Sequence, residues 1–221
     1  DIVDKDFDKK VQRTKNRPIA SGKITVKHSL VYVLILCLIA LIILLQFNLL
    51  TIILGMGSMF LAFSYPFMKR FTYWPQLFLG ITFNWGIIMA WTAVNNNITQ
   101  EIITLYVSAI FWTLGYDTIY GAQDTSEDEI IGLKSTSIKF KENMFLFVSV
   151  CYFVTIISIF LLFINFLGVN FFTLLLFIFF LSLIYQLIKL RKNNSENYLS
   201  LFKFNNISGL LLFVSICSIN L

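Results

Sequence analysis

The polar positions of this chain are gathered into a few short stretches, and between them lie runs that are apolar on every side. The runs cover roughly 29–47, 51–67, 76–94, 102–116, 143–163, 169–188 and 204–220. An uncharged run of about 18 residues or more is long enough, at ~1.5 Å rise per residue, to cross the hydrocarbon of a bilayer as a helix. The pattern therefore predicts seven membrane-spanning helices. Two of the runs, 51–67 and 102–116, are short, which leaves their ends open. A membrane barrel would instead alternate polar and apolar positions over ten-residue segments.

Composition points the same way. Hydrophobic residues make up 57% of the chain and charged residues 13%, about half the share that a soluble domain uses to cover its surface. Cys37, Cys151 and Cys217 are dispersed in apolar runs without metal-ligand or redox spacing and read as small core residues. His28, alone at the start of a run, reads as an interfacial residue rather than a general base, and Tyr185 and Gln186 read as interface anchors.

Charge fixes the orientation. If the seven helices alternate, the stretches 1–28, 68–75, 117–142 and 189–203 share one side, and they hold all 17 Lys and Arg residues. The other connections carry one charge, Glu101. By the positive-inside rule the charged side faces the cytoplasm, or the matrix of a mitochondrion. Lys5, Lys9, Lys10, Lys189, Arg191 and Lys192 suit anionic lipid headgroups of that leaflet.

Topology does not account for the acids, because Asp and Glu contribute little to it. Asp1, Asp4, Asp6 and Asp8 form one cluster on the charged side; Asp117, Asp124, Glu127, Asp128 and Glu129 form a second. If each cluster is helical, Asp1, Asp4 and Asp8 fall within about 60° of arc, and Asp117, Asp124 and Asp128 within about 40°. Like charges on one face repel, and a bound cation would relieve them. Carboxylates without Cys or His select a hard ion such as Mg2+, which is commonly shared with phosphate oxygens. A calcium loop fails here, since its sixth and twelfth positions would be Lys9 and Lys15 instead of Gly and Glu. A merely solvated charge run is the competing reading. Cations close to the acids, Arg13, Lys15, Arg17, Lys69, Arg70 and Lys134, complete what a metal-bridged diphosphate needs.

These segments resemble those of a known family. "DIVDKDFD" resembles the aspartate-rich motif of the UbiA family of intramembrane aromatic prenyltransferases, with its leading Asn falling before Asp1. "RTKNRPIASGK" is similar to the segment that follows it there. "SYPFMKRFTYWPQ" carries the family's YxxxK motif at Tyr65 and Lys69, and "GYDTIYGAQDTSEDEIIGLKSTSIKF" resembles the second acidic motif at Asp124 and Asp128. The likeness runs from residue 1 to about 140; the last third matches only as three apolar helices. Gly121 stands where Ala is common, which should loosen packing.

The resemblance implies an all-α polytopic membrane bundle, one membrane-embedded domain over 1–221, with seven of an expected nine transmembrane helices and two preceding Asp1. A chain beginning at Asp1 would lack the Asn that helps hold the metal, and its activity is expected to need that residue. The implied substrates are a polyprenyl diphosphate and, from the likeness of "YPFMKRFTYWPQ" and "YDTIYGAQD", 4-hydroxybenzoate, prenylated beside its hydroxyl in ubiquinone synthesis. In that reading Asp4, Asp124 and Asp128 hold Mg2+, with Asp1, Asp8 and Asp117 supporting it. Lys69 binds diphosphate, helped by Arg13, Arg17 and Lys134; Tyr65 is catalytic, and Arg70 grips the benzoate carboxylate. Tyr65, Tyr116, Phe63 or Trp112 could face an allylic cation. The setting is a lipid bilayer, that of a bacterial inner membrane or, alternatively, a mitochondrial one; neither nucleic acid nor a protein partner is implied. Acceptors of the haem or menaquinone pathways remain alternatives, as does a divalent-cation transporter, which would place acids inside the spans.

Overall fold

Seven long helices account for the seven apolar runs: α2 (Val26–Leu44), α3 (Leu49–Phe71), α4 (Pro75–Asn95), α5 (Gln100–Gly121), α8 (Met144–Leu162), α9 (Phe171–Arg191) and α10 (Tyr198–Cys217). Three short helices, α1 (Lys5–Asp8), α6 (Thr125–Ile131) and α7 (Thr136–Lys139), lie in the charged stretches between them. The computed structural model of the protein describes residues 1–12, 14–191 and 197–220, and there is no strand among them. In hydrocarbon each backbone N–H and C=O must be paired within its own segment, and helices do this.

The helices reach further than the apolar runs. α3 continues through Lys69 and Arg70, and α5 through Asp117. These charged positions lie in the last turns of the helices, where the basic side chains of α3 also meet the favourable pole of its dipole. The local signals for starts are conventional. Asn48, Thr99 and Thr25 cap α3, α5 and α2 with side-chain oxygens, and Pro75 occupies the first turn of α4.

α5 is the hub of the bundle, packed against α4, α8 and α10, while α9 packs on α10. Close approach depends on small residues, as is usual where no hydrophobic drive pushes helices together in lipid. A Cβ added to Gly115 on α5 would lie 2.6 Å from the ring of Tyr152 on α8, and one added to Gly80 on α4 would lie 3.0 Å from the Ile110 carbonyl oxygen of α5. The core sits on the α8–α9 side, around Val148, Tyr152, Phe179 and Leu183. α2 is nearly bare, with Ser29 its one buried residue. Polar stitching at the end away from the charged stretches joins α3 to α4: Thr51 donates to Thr92 at 3.0 Å and Asn48 to the Thr92 carbonyl at 2.7 Å.

Candidate functional site at the charged end of the bundle

The first acidic segment is not one continuous helix. It holds a single helical turn, Lys5–Asp8, with Asp4 at its N-cap. Asp4 has φ −96° and ψ 5°, and its carboxylate is not spent on capping. The second acidic segment repeats the device: α5 ends at Gly121, and Asp124, with φ −103° and ψ 2°, opens α6 without capping it through its side chain. Each turn is closed by the same bond, Asp8 N–H to the Asp4 carbonyl at 2.8 Å and Asp128 N–H to the Asp124 carbonyl at 2.9 Å. Both Asp residues thus sit in the bridge region, where functional residues are often found. The single-face grouping expected for Asp117, Asp124 and Asp128 does not hold, because the chain leaves the helix between the first and the second of them. α6 then stops at Gly132, whose φ of 79° provides the left-handed cap.

The turn carrying Asp4 is docked on the end of α3. Lys69 reaches one oxygen of Asp4 at 2.7 Å, and the Arg70 guanidinium lies 3.4 Å from the other. Arg70 also donates to the Val3 carbonyl at 2.8 Å and lies over the rings of Phe7 and Phe67. Its guanidinium is therefore engaged in holding the turn, and its Nε is buried without a hydrogen-bond partner. Arg17 makes a second clasp, to Asp8 at 3.1 Å and to Asp1 at 3.2 Å, and Thr14 donates to the Asp8 carbonyl at 3.0 Å. Asp8 is buried, and Asp1 is exposed. Arg13 lies outside the described residues.

Tyr65 is the residue whose electrostatic surroundings include both segments. This half-buried tyrosine of α3 feels the charges of both Asp4 and Asp117. Tyr116 also lies within reach of the Asp117 charge. Lys134 pairs its backbone N–H with the Lys69 carbonyl at 2.8 Å and points its ammonium at the Phe71 carbonyl and the Tyr73 ring. Asp4, Lys69 and Arg70 are thus brought together, with Tyr65 within reach of the charges of Asp4 and Asp117; Asp1, Asp8 and Arg17 form an adjoining group, and Asp124 and Asp128 belong to the α6 turn.

The "KST" segment has a role that sequence reasoning missed. Thr136 gives its N–H to Gln76 of α4 at 2.9 Å and shares a 2.7 Å hydroxyl contact with Thr118 of α5. Ser137 donates to the Thr118 carbonyl at 2.7 Å. All four side chains are buried, so this knot fixes the end of α5 that carries Asp117. Gly121 is part of it. An added Cβ would lie 2.6 Å from the Ser137 oxygen and 3.1 Å from the Gln76 amide. The loosening expected from Gly at this position is therefore reversed: it permits closer packing. Gln186 is likewise no interface anchor, being wholly buried and hydrogen-bonded to Tyr152 and Asn205. Its signal was legible, since amides inside apolar runs are costly unless partnered. His28 is exposed and shares a 3.0 Å contact with Thr25.

Among the described residues no three acidic, histidine or cysteine side chains stand close enough to form a metal cage. The donors are carboxylates, the nearest of them neutralised by Lys69, Arg70 and Arg17. That set fits a hard ion that arrives with phosphate oxygens and uses one or two carboxylates, the usual habit of Mg2+.

The UbiA prenyltransferase family matches residues 1–207 of the chain. A mitochondrial 4-hydroxybenzoate polyprenyltransferase of Arabidopsis thaliana is 50% identical over 144 residues, 65% of this chain and 35% of that protein. The protein of the same name from Homo sapiens is 49% identical over 144 residues, covering 65% and 39%. The chain thus spans little more than a third of the length of these relatives. Among solved structures, a UbiA homolog from Aeropyrum pernix K1 in its apo form superposes with a TM-score of 0.81 over 98% of this chain and 81% of its own, at 21% identity. A digeranylgeranylglyceryl phosphate synthase superposes with a TM-score of 0.73 over 99% and 78%, at 19% identity. Both share the fold.

Proposed function

The chain belongs to the UbiA prenyltransferase family, and from that premise we propose that it transfers a polyprenyl group from polyprenyl diphosphate to 4-hydroxybenzoate. The group goes to the ring carbon beside the hydroxyl, a step of ubiquinone synthesis. The observation that carries the reading is the docking of Asp4 onto Lys69 beside a tyrosine that also feels Asp117. That tyrosine relates two acidic segments about 110 residues apart in sequence, both at the charged end of the bundle. The names of the relatives support 4-hydroxybenzoate as the acceptor.

Lys69 turns from Asp4 to a diphosphate oxygen when the substrate binds, supplying positive charge where the leaving group gathers its negative charge. Arg17 and Lys134 are close enough to the same end to assist, and Arg13 is proposed with them from its motif position. From their motif positions Asp4, Asp124 and Asp128, with Asp1, Asp8 and Asp117 in support, are the carboxylates from which one or two at a time would hold Mg2+ beside the phosphate oxygens that arrive with it. That ion, when bound, screens the diphosphate and promotes its departure. Tyr65 and Tyr116, both within reach of the Asp117 charge, offer ring faces to an allylic cation, an attraction of ~1–2 kcal/mol when desolvated. The surrounding apolar helices keep out the water that would quench it. Arg70 was expected to bind the benzoate carboxylate; its Nη2 contacts to Val3 and Asp4 support a share in holding the Asp4 turn, and its buried Nε has no hydrogen-bond partner. The charged end faces the cytoplasm or the mitochondrial matrix.

The test is incubation of membranes carrying the full-length protein with labelled 4-hydroxybenzoate and a set of polyprenyl diphosphates. Label should move into a prenylated, extractable product. Diphosphate release without labelled product, while another aromatic acceptor is consumed, would overturn the acceptor; no release with any acceptor would overturn the reading as a whole.

A further inference from the structure

Behind the aromatic side of the site lies a polar knot in the middle of the bundle. Gln186 of α9 accepts from the Tyr152 hydroxyl of α8 at 2.8 Å and from Asn205 of α10 at 3.2 Å. Its own amide donates to Asn205 and to Ser208, each at 3.3 Å, and Ser182 donates to Ser208 at 2.8 Å. Tyr152, Gln186 and Ser208 are wholly buried. One more donor completes the set: the indole N–H of Trp112, on α5, reaches Asn205 at 2.9 Å. Four helices therefore meet in one satisfied network, an arrangement with steep costs for any member removed.

The network reaches toward the site through Trp112. The indole meets Tyr116 edge-on at 6.1 Å, and Tyr116 meets Phe202 at 5.8 Å, which lies 4.4 Å from Tyr120. Trp112 stands one helical turn, about 6 Å, below Tyr116 on α5. Tyr116 and Asp117 diverge by about 100° of arc, with Tyr120 between them. A continuous ring surface thus runs from the acid at the water-facing end down to the indole, and its lower edge is pinned by Asn205.

We propose that Asn205 is a positioning residue for the transfer reaction: through the Trp112 indole it holds the Trp112–Tyr116 wall against the reacting allylic group, so that the cation meets the aromatic acceptor rather than water. The inference rests on the prenyltransferase reading. In the reaction the allylic carbon–oxygen bond breaks with its electron pair leaving on diphosphate. The cation is then captured either by the acceptor ring, which afterwards loses its proton, or by water, which loses a proton to give the polyprenol. A wall held in place favours the first outcome, and a loosened wall admits the second.

The experiment measures the ratio of polyprenol to prenylated 4-hydroxybenzoate for wild type, Trp112→Phe and Asn205→Leu in membranes carrying the full-length protein. Misfolded protein lowers both products together, so the ratio reports only on molecules that react. Trp112→Phe keeps a ring and leaves the bonds among Gln186, Asn205 and Ser208 possible. The ratio should rise about fivefold or more in both variants. An unchanged ratio in Trp112→Phe, or a loss of both products in equal proportion in both variants, overturns the proposal and leaves the knot a purely structural feature. A wild-type protein that releases diphosphate but makes no prenylated product refutes the functional reading itself, and this inference falls with it.

Discussion

Lys69 and Asp4 neutralise one another at 2.7 Å with both side chains largely sheltered, 28% and 15% exposed. In a setting where water is scarce such a pair stands in for the ligands each would otherwise seek. The pair explains why acids that sequence reasoning assigned to a metal are found beside cations: the two halves of the site satisfy each other. Removing the ammonium should therefore have a kinetic consequence out of proportion to its structural one, because Arg70 remains to hold Asp4. Lys69→Met should lower kcat by about a hundredfold or more, the scale of losing one preorganised charge on a leaving group. Thermal unfolding of the variant should stay within a few degrees of wild type. Lys69→Arg should recover part of the rate, since it restores the charge with a different donor geometry. Steady-state kinetics and a melting curve check these outcomes; a normal kcat in Lys69→Met would remove Lys69 from the site.

At the scale of elements, the seven spans were legible from run length alone, and their ends were not. Hydropathy falls where Lys69, Arg70 and Asp117 begin, yet the backbone continues as helix through all three. The missing cue is that a helix end in water tolerates charge that its middle does not. The helical-phase argument for Asp117, Asp124 and Asp128 failed for a readable reason. "Asp124-Thr-Ser-Glu127" has an acidic cap residue followed three positions later by Glu, the signature of a new helix start, so continuous phase across it could not hold. The buried knot of Gln76, Thr118, Thr136 and Ser137 joins residues up to about 60 apart, and no local pattern announces such pairings. It makes its own prediction. Gln76→Leu would leave the Thr136 N–H buried and unpaired, costing about 1–3 kcal/mol, read as a lowered unfolding midpoint. Because the knot anchors the end of α5, activity should fall as well, and a variant as stable and as active as wild type would contradict the role given to it.

Across the whole molecule the chain divides its labour by depth and by side. The apolar helices supply a dry enclosure, the far end is closed by neutral contacts such as Thr51 with Thr92, and the charges concentrate at one end. There lie the docked Asp4 turn and the α5–α6 corner, each presenting an Asp in the same backbone conformation at the head of a short helix. The placement of both acidic segments at the charged end of the bundle was legible in the sequence as matched motifs in stretches of one side. The cation partner of Asp4 was not, because pairing across about 65 residues, as between Asp4 and Lys69, leaves no periodic trace. The central claim is that the two acidic segments act on one diphosphate as a unit, and a double-mutant cycle on kcat tests it most directly. Asp4→Asn and Asp124→Asn should each cost about a hundredfold or more, and the double variant should be little worse than the poorer single, as groups acting together are strongly non-additive. Losses that simply multiply in the double variant, or a near-normal rate in either single, would contradict the account.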